Sequence, residues 1–184
     1  MALWIILGII VVVLVAVVGL YNNMVNLRLK VKNAWAQIDT QLKRRFDLIP
    51  NLVETVKGYM NHEEKTLTNV IEARNKFDAA SDIDAKREAN DILTNSLRSI
   101  FALSEAYPDL KANANFTALQ NELTDTENKI AYSRQFYNDT VQMYNTAIMT
   151  FPGNIFANMF GFKEEKFFEA SQEQRENVKV DFNN

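Results

Sequence analysis

The stretch QLKRRFDLIPNLVETVKGY, residues 41–59, decides how this chain folds. Three cations, Lys43, Arg44 and Arg45, run into Asp47 and then into Pro50, inside what otherwise reads as one amphipathic helix. Apolar residues recur on both sides of the proline: Met24, Leu27, Val31, Trp35, Ile38, Leu42, Phe46, Ile49, Val53, Val56 and Met60. The steps are threes and fours throughout, which places these side chains on one helical face. An inserted turn has no reason to preserve that phase. The pattern therefore predicts a kinked continuation, Pro50 removing one hydrogen bond and crowding residue 46. The alternative is Asp47 capping a new helix with Pro50 in its first turn.

Working outward, the segment before this helix is of another kind. Ala2 to Leu20, ALWIILGIIVVVLVAVVGL, holds no charge, and its nineteen residues match the ~20 needed to cross a bilayer. Trp4 and Tyr21 stand near its two ends, where aromatic rings favour the headgroup level. No basic group precedes the run and no small-x-small pattern follows it, so an uncleaved anchor is expected rather than a signal peptide. Arg28, Lys30 and Lys32 follow the span and none precedes it, which predicts an outside N-terminus and a cytoplasmic body. Gly8, Ala16 and Gly19 form no Gly-x-x-x-Gly, so the span itself carries no dimerisation motif.

Beyond Gly58, NHEE at residues 61–64 reads as a helix start, giving a second helix over roughly 61–80. ASDID interrupts and caps a third helix through Ala89, Leu93, Leu97, Ile100 and Leu103. YPDLKANAN ends that one, since Pro108 excludes continuation. A fourth begins near Asn115 or Phe116 and runs to FPGN at Phe151. The expected fold is all-α: a transmembrane helix, 2–20, continuing into an up-and-down, antiparallel four-helix bundle, 21–150, and then an aromatic-rich segment and polar tail, 151–184. Antiparallel pairing of the first and last helices, each about 57 Å long, sets opposed residue numbers to add up to about 172. Asp39 should then meet Arg134, and Arg45 should meet Glu127.

Composition narrows the chemistry. The 184 residues suffice for one domain with a hydrophobic core, and the net charge of −3 gives no global field toward nucleic acid. The run 43–45 is too short and too close to Asp47 for a nucleic-acid face. Without cysteine there is no disulfide, thiolate nucleophile or Cys-ligated zinc. The single histidine, His62, lacks the second ligand of a zinc helix. No nucleophile has an identifiable base, and no carboxylate pair is marked as acid and base. We therefore expect no cofactor and no enzymatic activity.

Two features remain. Tyr-Asn occurs at 21–22, 137–138 and 144–145, and the last two pairs share a helix face. They make either a polar seam inside the bundle or a ligand groove. The closing segment carries Phe151, Phe156, Phe160, Phe162, Phe167 and Phe168, and the fourth helix returns it to the membrane. These phenylalanines could fold against the bundle, enter the lipid interface, or touch another copy.

The blocks YNNMVNLRLKVKNAWAQIDTQLKRRFDLIPNLVETVKGYMNHE at 21–63, ENKIAYSRQFYNDTVQMYN at 127–145 and FPGNIFANMFGFKEEKFFEA at 151–170 resemble the LemA family of bacterial membrane proteins. The resemblance covers nearly the whole chain and departs from the family pattern at Met60. It implies a four-helix bundle on a single-pass anchor, relatives that include a magnetosome membrane protein, and roles in membrane stress or remodelling. It implies no catalytic residues. The expectation is a scaffold of the bacterial inner membrane that contacts the bilayer and forms homo-oligomers. The alternative is an adaptor or sensor for a membrane partner such as a protease or transporter.

Overall fold

The structure, a computed structural model, describes residues 1–59 and 64–168. All regular structure among them is helical: α1 (Ala2–Asp47), α2 (Ile49–Lys57), α3 (Glu64–Ala79), α4 (Ile83–Ser104), α5 (Pro108–Lys111), α6 (Ala114–Met149) and α7 (Gly153–Phe160). The helix start expected at Asn61, with His62, lies outside the described residues.

At Pro50 the helix lapses for one residue and resumes in phase. Leu48 keeps right-handed helical angles, φ −76° and ψ −19°, and the Leu52 N–H still bonds to the Leu48 carbonyl at 3.1 Å. Asp47 supplies no cap; Leu48 stands at the N-cap position without a side-chain bond. Proline has no N–H to give the carbonyl one turn back, and that missing bond separates α1 from α2. The apolar face runs on through the lapse, with Phe46, Ile49, Leu52, Val53 and Val56 all buried. The opening stretch is thus a kinked continuation.

The described chain groups into two compact units, residues 39–131 and residues 1–38 with 132–168. In the first, four helical segments alternate in direction. Tyr59 meets Asn113 and Arg45 meets Glu127, so α6 descends as α1 and α2 rise. Both pairs fit the antiparallel register read from the sequence. Asp39 meets Lys86 and Arg45 meets Asn90, so α4 rises with α1. Phe46 stacks on Phe77 of α3 at 4.2 Å between ring centroids, and Lys86 lies over the same Phe77 ring. Local capping explains the helix starts. The Asp82 carboxylate accepts the Ala85 N–H at 2.8 Å, and Asn113 Oδ1 accepts the N–H groups of Asn115 and Phe116. Such caps satisfy donors that the first helical turn leaves open. The last long helix therefore begins at Ala114, just ahead of the expected start.

The other unit is built on α1 up to Ile38 and α6 from Tyr132. Its α6 core is heptad-spaced: Tyr137 and Tyr144, seven residues apart, are each no more than 1% exposed. A seven-residue repeat keeps one narrow seam facing a partner helix. After Met149 the chain turns and forms α7, which the sequence did not announce as a helix. Gly161, at φ +72°, ends it, and the Phe162 N–H reaches back to the Ala157 carbonyl at 2.9 Å. Only glycine takes that left-handed conformation without steric cost, which makes it the usual helix stop. The chain then runs without helix or strand through residues 162–168.

Candidate functional site

The two Tyr-Asn pairs of α6 hold the chain's own extended segment. Asn138 donates from Nδ2 to the Phe168 carbonyl at 3.0 Å and accepts the Phe168 N–H at 2.8 Å. Asn145 does the same with Glu165, at 2.9 and 3.0 Å. The Tyr137 hydroxyl donates to the Lys166 carbonyl at 3.0 Å and that of Tyr144 to the Lys163 carbonyl at 2.9 Å. All six bonds run from helix side chains to main-chain atoms of the segment.

The spacing has a simple geometric cause. Seven helical residues rise about 10.5 Å, and three extended residues span about 10 Å. A heptad on the helix therefore matches a tripeptide on the segment, and Glu165 and Phe168 meet identical partners two turns apart. Segment numbers fall as α6 numbers rise, so the two run antiparallel. Each asparagine presents a donor and an acceptor side by side, the same pair that a neighbouring β-strand would offer.

At one end the segment is fixed by an aromatic cluster. Phe168, only 3% exposed, stacks on Trp35 at 6.1 Å, and the Arg134 guanidinium lies 4.6 Å from its ring centre. Trp35 in turn meets Tyr137 edge-on at 6.0 Å. Arg28 pairs loosely with Glu165, at 4.0 Å. Burial, with the Glu165 charge adding to it, pushes the Tyr137 phenol up to about 12. Burial also raises Tyr144, with Glu165 adding to the rise while Arg28 and the bond to Lys163 work against it. Both phenols are therefore held in the protonated form that can donate.

The six phenylalanines of the closing segment do not form one surface. Phe162 and Phe160 pack against Tyr21, at 5.7 and 5.0 Å between centroids. Phe168 turns inward onto Trp35, Phe156 is half-buried, and Phe151 and Phe167 are exposed. Trp4, at the far end of the apolar span, is exposed, as is most of Tyr21's neighbourhood on α1.

In the unit of residues 39–131, Arg45 is buried and ion-paired to Glu127 at 2.5 Å, with Asn90 Oδ1 at 2.6 Å and Thr94 Oγ1 at 2.9 Å. Arg44 pairs with Glu122 beside it. Asp39, expected opposite Arg134, takes Lys86 at 2.5 Å; Arg134 stands over Phe168. Lys86 comes from α4, a third helix outside the register of the two long ones. The polar pair Asn90 and Thr94 on the core face of α4 was silent in the sequence.

Among the described residues no three carboxylate or imidazole side chains gather as a metal site would require. What the Tyr-Asn ladder can do is bind extended main chain, with an aromatic side chain as anchor.

Comparison with known proteins finds relatives of this chain. The model of the LemA family matches residues 34–182. Protein LemA of Metamycoplasma hominis is 29% identical over 165 residues, covering 88% of this chain and 74% of that protein. Magnetosome protein MamQ of Magnetospirillum gryphiswaldense is 31% identical over 74 residues, 40% of this chain and 27% of that protein. Magnetosome protein MamQ 2 of Paramagnetospirillum magneticum is 31% identical over 75 residues, again a minor part of each chain, 41% and 28%.

Proposed function

The chain belongs to the LemA family, and on that premise we propose that it is a non-enzymatic, membrane-anchored helical scaffold that self-associates and supports or organises the bacterial inner membrane. The observation that carries the reading is the bare span. The most apolar window of α1 has a mean hydropathy of 3.2 and none of it is buried against protein. A helix of that length and composition is covered by lipid, because water would leave every apolar side chain hydrated. The flanking cations Arg28, Lys30 and Lys32 support a cytoplasmic helical body.

Self-association is supported by α6. Tyr132, Phe136 and Met143 lie on one helical face and are 75%, 47% and 58% exposed. Anchoring confines copies to one plane and one orientation, so a modest apolar face suffices for lateral contact. The test is cross-linking of the full-length protein in native membranes. Higher species that vanish in the variant Phe136→Lys with Met143→Lys are the expected result; monomer alone in the unaltered protein overturns the reading. Protease added outside intact spheroplasts should leave the body uncut.

The ladder favours a second reading, an adaptor that gives its groove to an extended segment of a membrane protein such as a protease or transporter. Its six bonds read main chain, and they impose little sequence preference beyond the aromatic anchor. A peptide of residues 162–168 that binds the full-length protein and displaces the native segment would support that reading.

A further inference from the structure

We infer that α7 is an interfacial helix, lying in the headgroup layer with Phe151, Ile155 and Met159 turned into lipid; the inference rests on the anchoring of the span proposed above. Three independent observations converge on it. The first is height. Gly153 is packed so closely on α6 that a Cβ there would stand 2.3 Å from the Ala147 carbonyl oxygen and 3.2 Å from Met24 Cε. At the other end of α7, Phe160 meets Tyr21. Tyr21 and Met24 are the first turn of α1 beyond the apolar span, within about 6 Å of Leu20 along the axis. Amphipathic helices at a bilayer surface insert about 5–10 Å into the headgroup and acyl boundary, so α7 is fixed at the matching depth.

The second is its open face. Phe151, Ile155 and Met159 follow one another at intervals of four and are 81%, 55% and 63% exposed, while Gly153 and Ala157 on the opposite side are buried. Met149, 59% exposed, adjoins them. The third is charge. No Asp, Glu, Lys or Arg occurs from Thr140 to Phe162. Charged residues are 23% of the chain, so a stretch of that length in water would carry about five. On α1 the same unit is uncharged until Arg28, and on the returning segment until Lys163; the two sides resume charge together, where Arg28 meets Glu165. A protein contact would call for a polar rim around the apolar centre. On α6 the charge-free stretch reaches further, to Thr140, and a zone without charge that begins with the span and includes all of α7 instead fits lipid.

The native chain has no cysteine, so a single label reports one site. Full-length Ile155→Cys and Met159→Cys, each carrying an environment-sensitive fluorophore, would be reconstituted in phospholipid vesicles, with Asp139→Cys as the control in water. Brominated acyl chains should quench the labels at 155 and 159 strongly and aqueous iodide weakly, with the opposite order at 139. The pattern should persist when vesicles outnumber protein copies. Shielding that disappears on such dilution would mean that a second copy covers the face, and iodide quenching equal to that at 139 would mean that nothing does; either overturns the inference. Flotation of the same vesicles separates the two readings: protein that floats with exposed labels retains its anchor but not an interfacial α7, whereas protein that fails to float refutes both.

Discussion

Asn138 and Phe168 exchange two hydrogen bonds, 3.0 Å from the side-chain amide to the carbonyl and 2.8 Å from the backbone N–H to the amide oxygen. Asn145 repeats the exchange with Glu165, so the helix treats a segment without regular structure as though it were a neighbouring strand.

Removing one asparagine leaves a backbone donor and acceptor without their partner in a partly buried place. Asn145→Ala should loosen the segment by about 1–3 kcal/mol. Asn145→Asp should be no better, because a carboxylate can accept the Glu165 N–H but cannot donate to its carbonyl and adds a charge beside Glu165. Limited proteolysis at Lys163 and Lys166 reads the release: both variants should be cut faster than the parent, and equal rates would show that the ladder does not hold the segment.

The tyrosines add a pH dependence. Each must keep its proton to donate, and the folded state raises Tyr137 from 10.0 to about 12. A group raised on folding contributes stability that is complete below its unfolded value and is lost as pH climbs through the folded one. Segment docking should therefore hold up to about pH 10 and fail between about 10 and 12. With Trp4→Phe, Trp35 is the only tryptophan left, and its contact with Phe168 makes its emission the readout. The transition should shrink in Tyr137→Phe and be absent from that window in Tyr137→Phe combined with Tyr144→Phe, since the Tyr144 hydroxyl also donates to the segment.

Arg45 is the costliest polar group in the unit of residues 39–131, being 3% exposed while its partner Glu127 has a side chain 33% exposed. Deleting Glu127 takes the bound carboxylate from a buried cation and leaves it the neutral partners Asn90 and Thr94 among its contacts. Glu127→Ala should destabilise that unit by about 2–3 kcal/mol, below the 3–5 of a fully enclosed pair because water reaches the carboxylate. Arg45→Met combined with Glu127→Leu should recover most of the loss. Urea denaturation of the three proteins checks the order.

What the sequence could show depended on period. The threes and fours from Met24 to Val56 carried the phase across Pro50, and the buried residues Met24, Val31, Ile38, Leu42, Phe46, Ile49, Val53 and Val56 follow it. The spacing of Tyr137-Asn138 and Tyr144-Asn145 marked a polar seam. Its occupant was hidden, because recognition through main chain leaves no residue pattern on the segment recognised. The six phenylalanines gave composition without direction. Their separation into Phe168 inside and Phe151 outside depends on the turn after Met149 and on Gly161, which set where α7 starts and stops. Asp39 found Lys86 because a third helix lies within reach, which pairing two helices by register cannot reveal.

Self-association of the anchored protein is the claim on which the proposed role stands. Light scattering coupled to size exclusion, on full-length protein in mild detergent over a wide concentration range, gives the protein mass of the particle directly. Self-association should give a mass several times that of one chain, falling toward a single chain in Phe136→Lys with Met143→Lys; a single-chain mass at every concentration would rule it out.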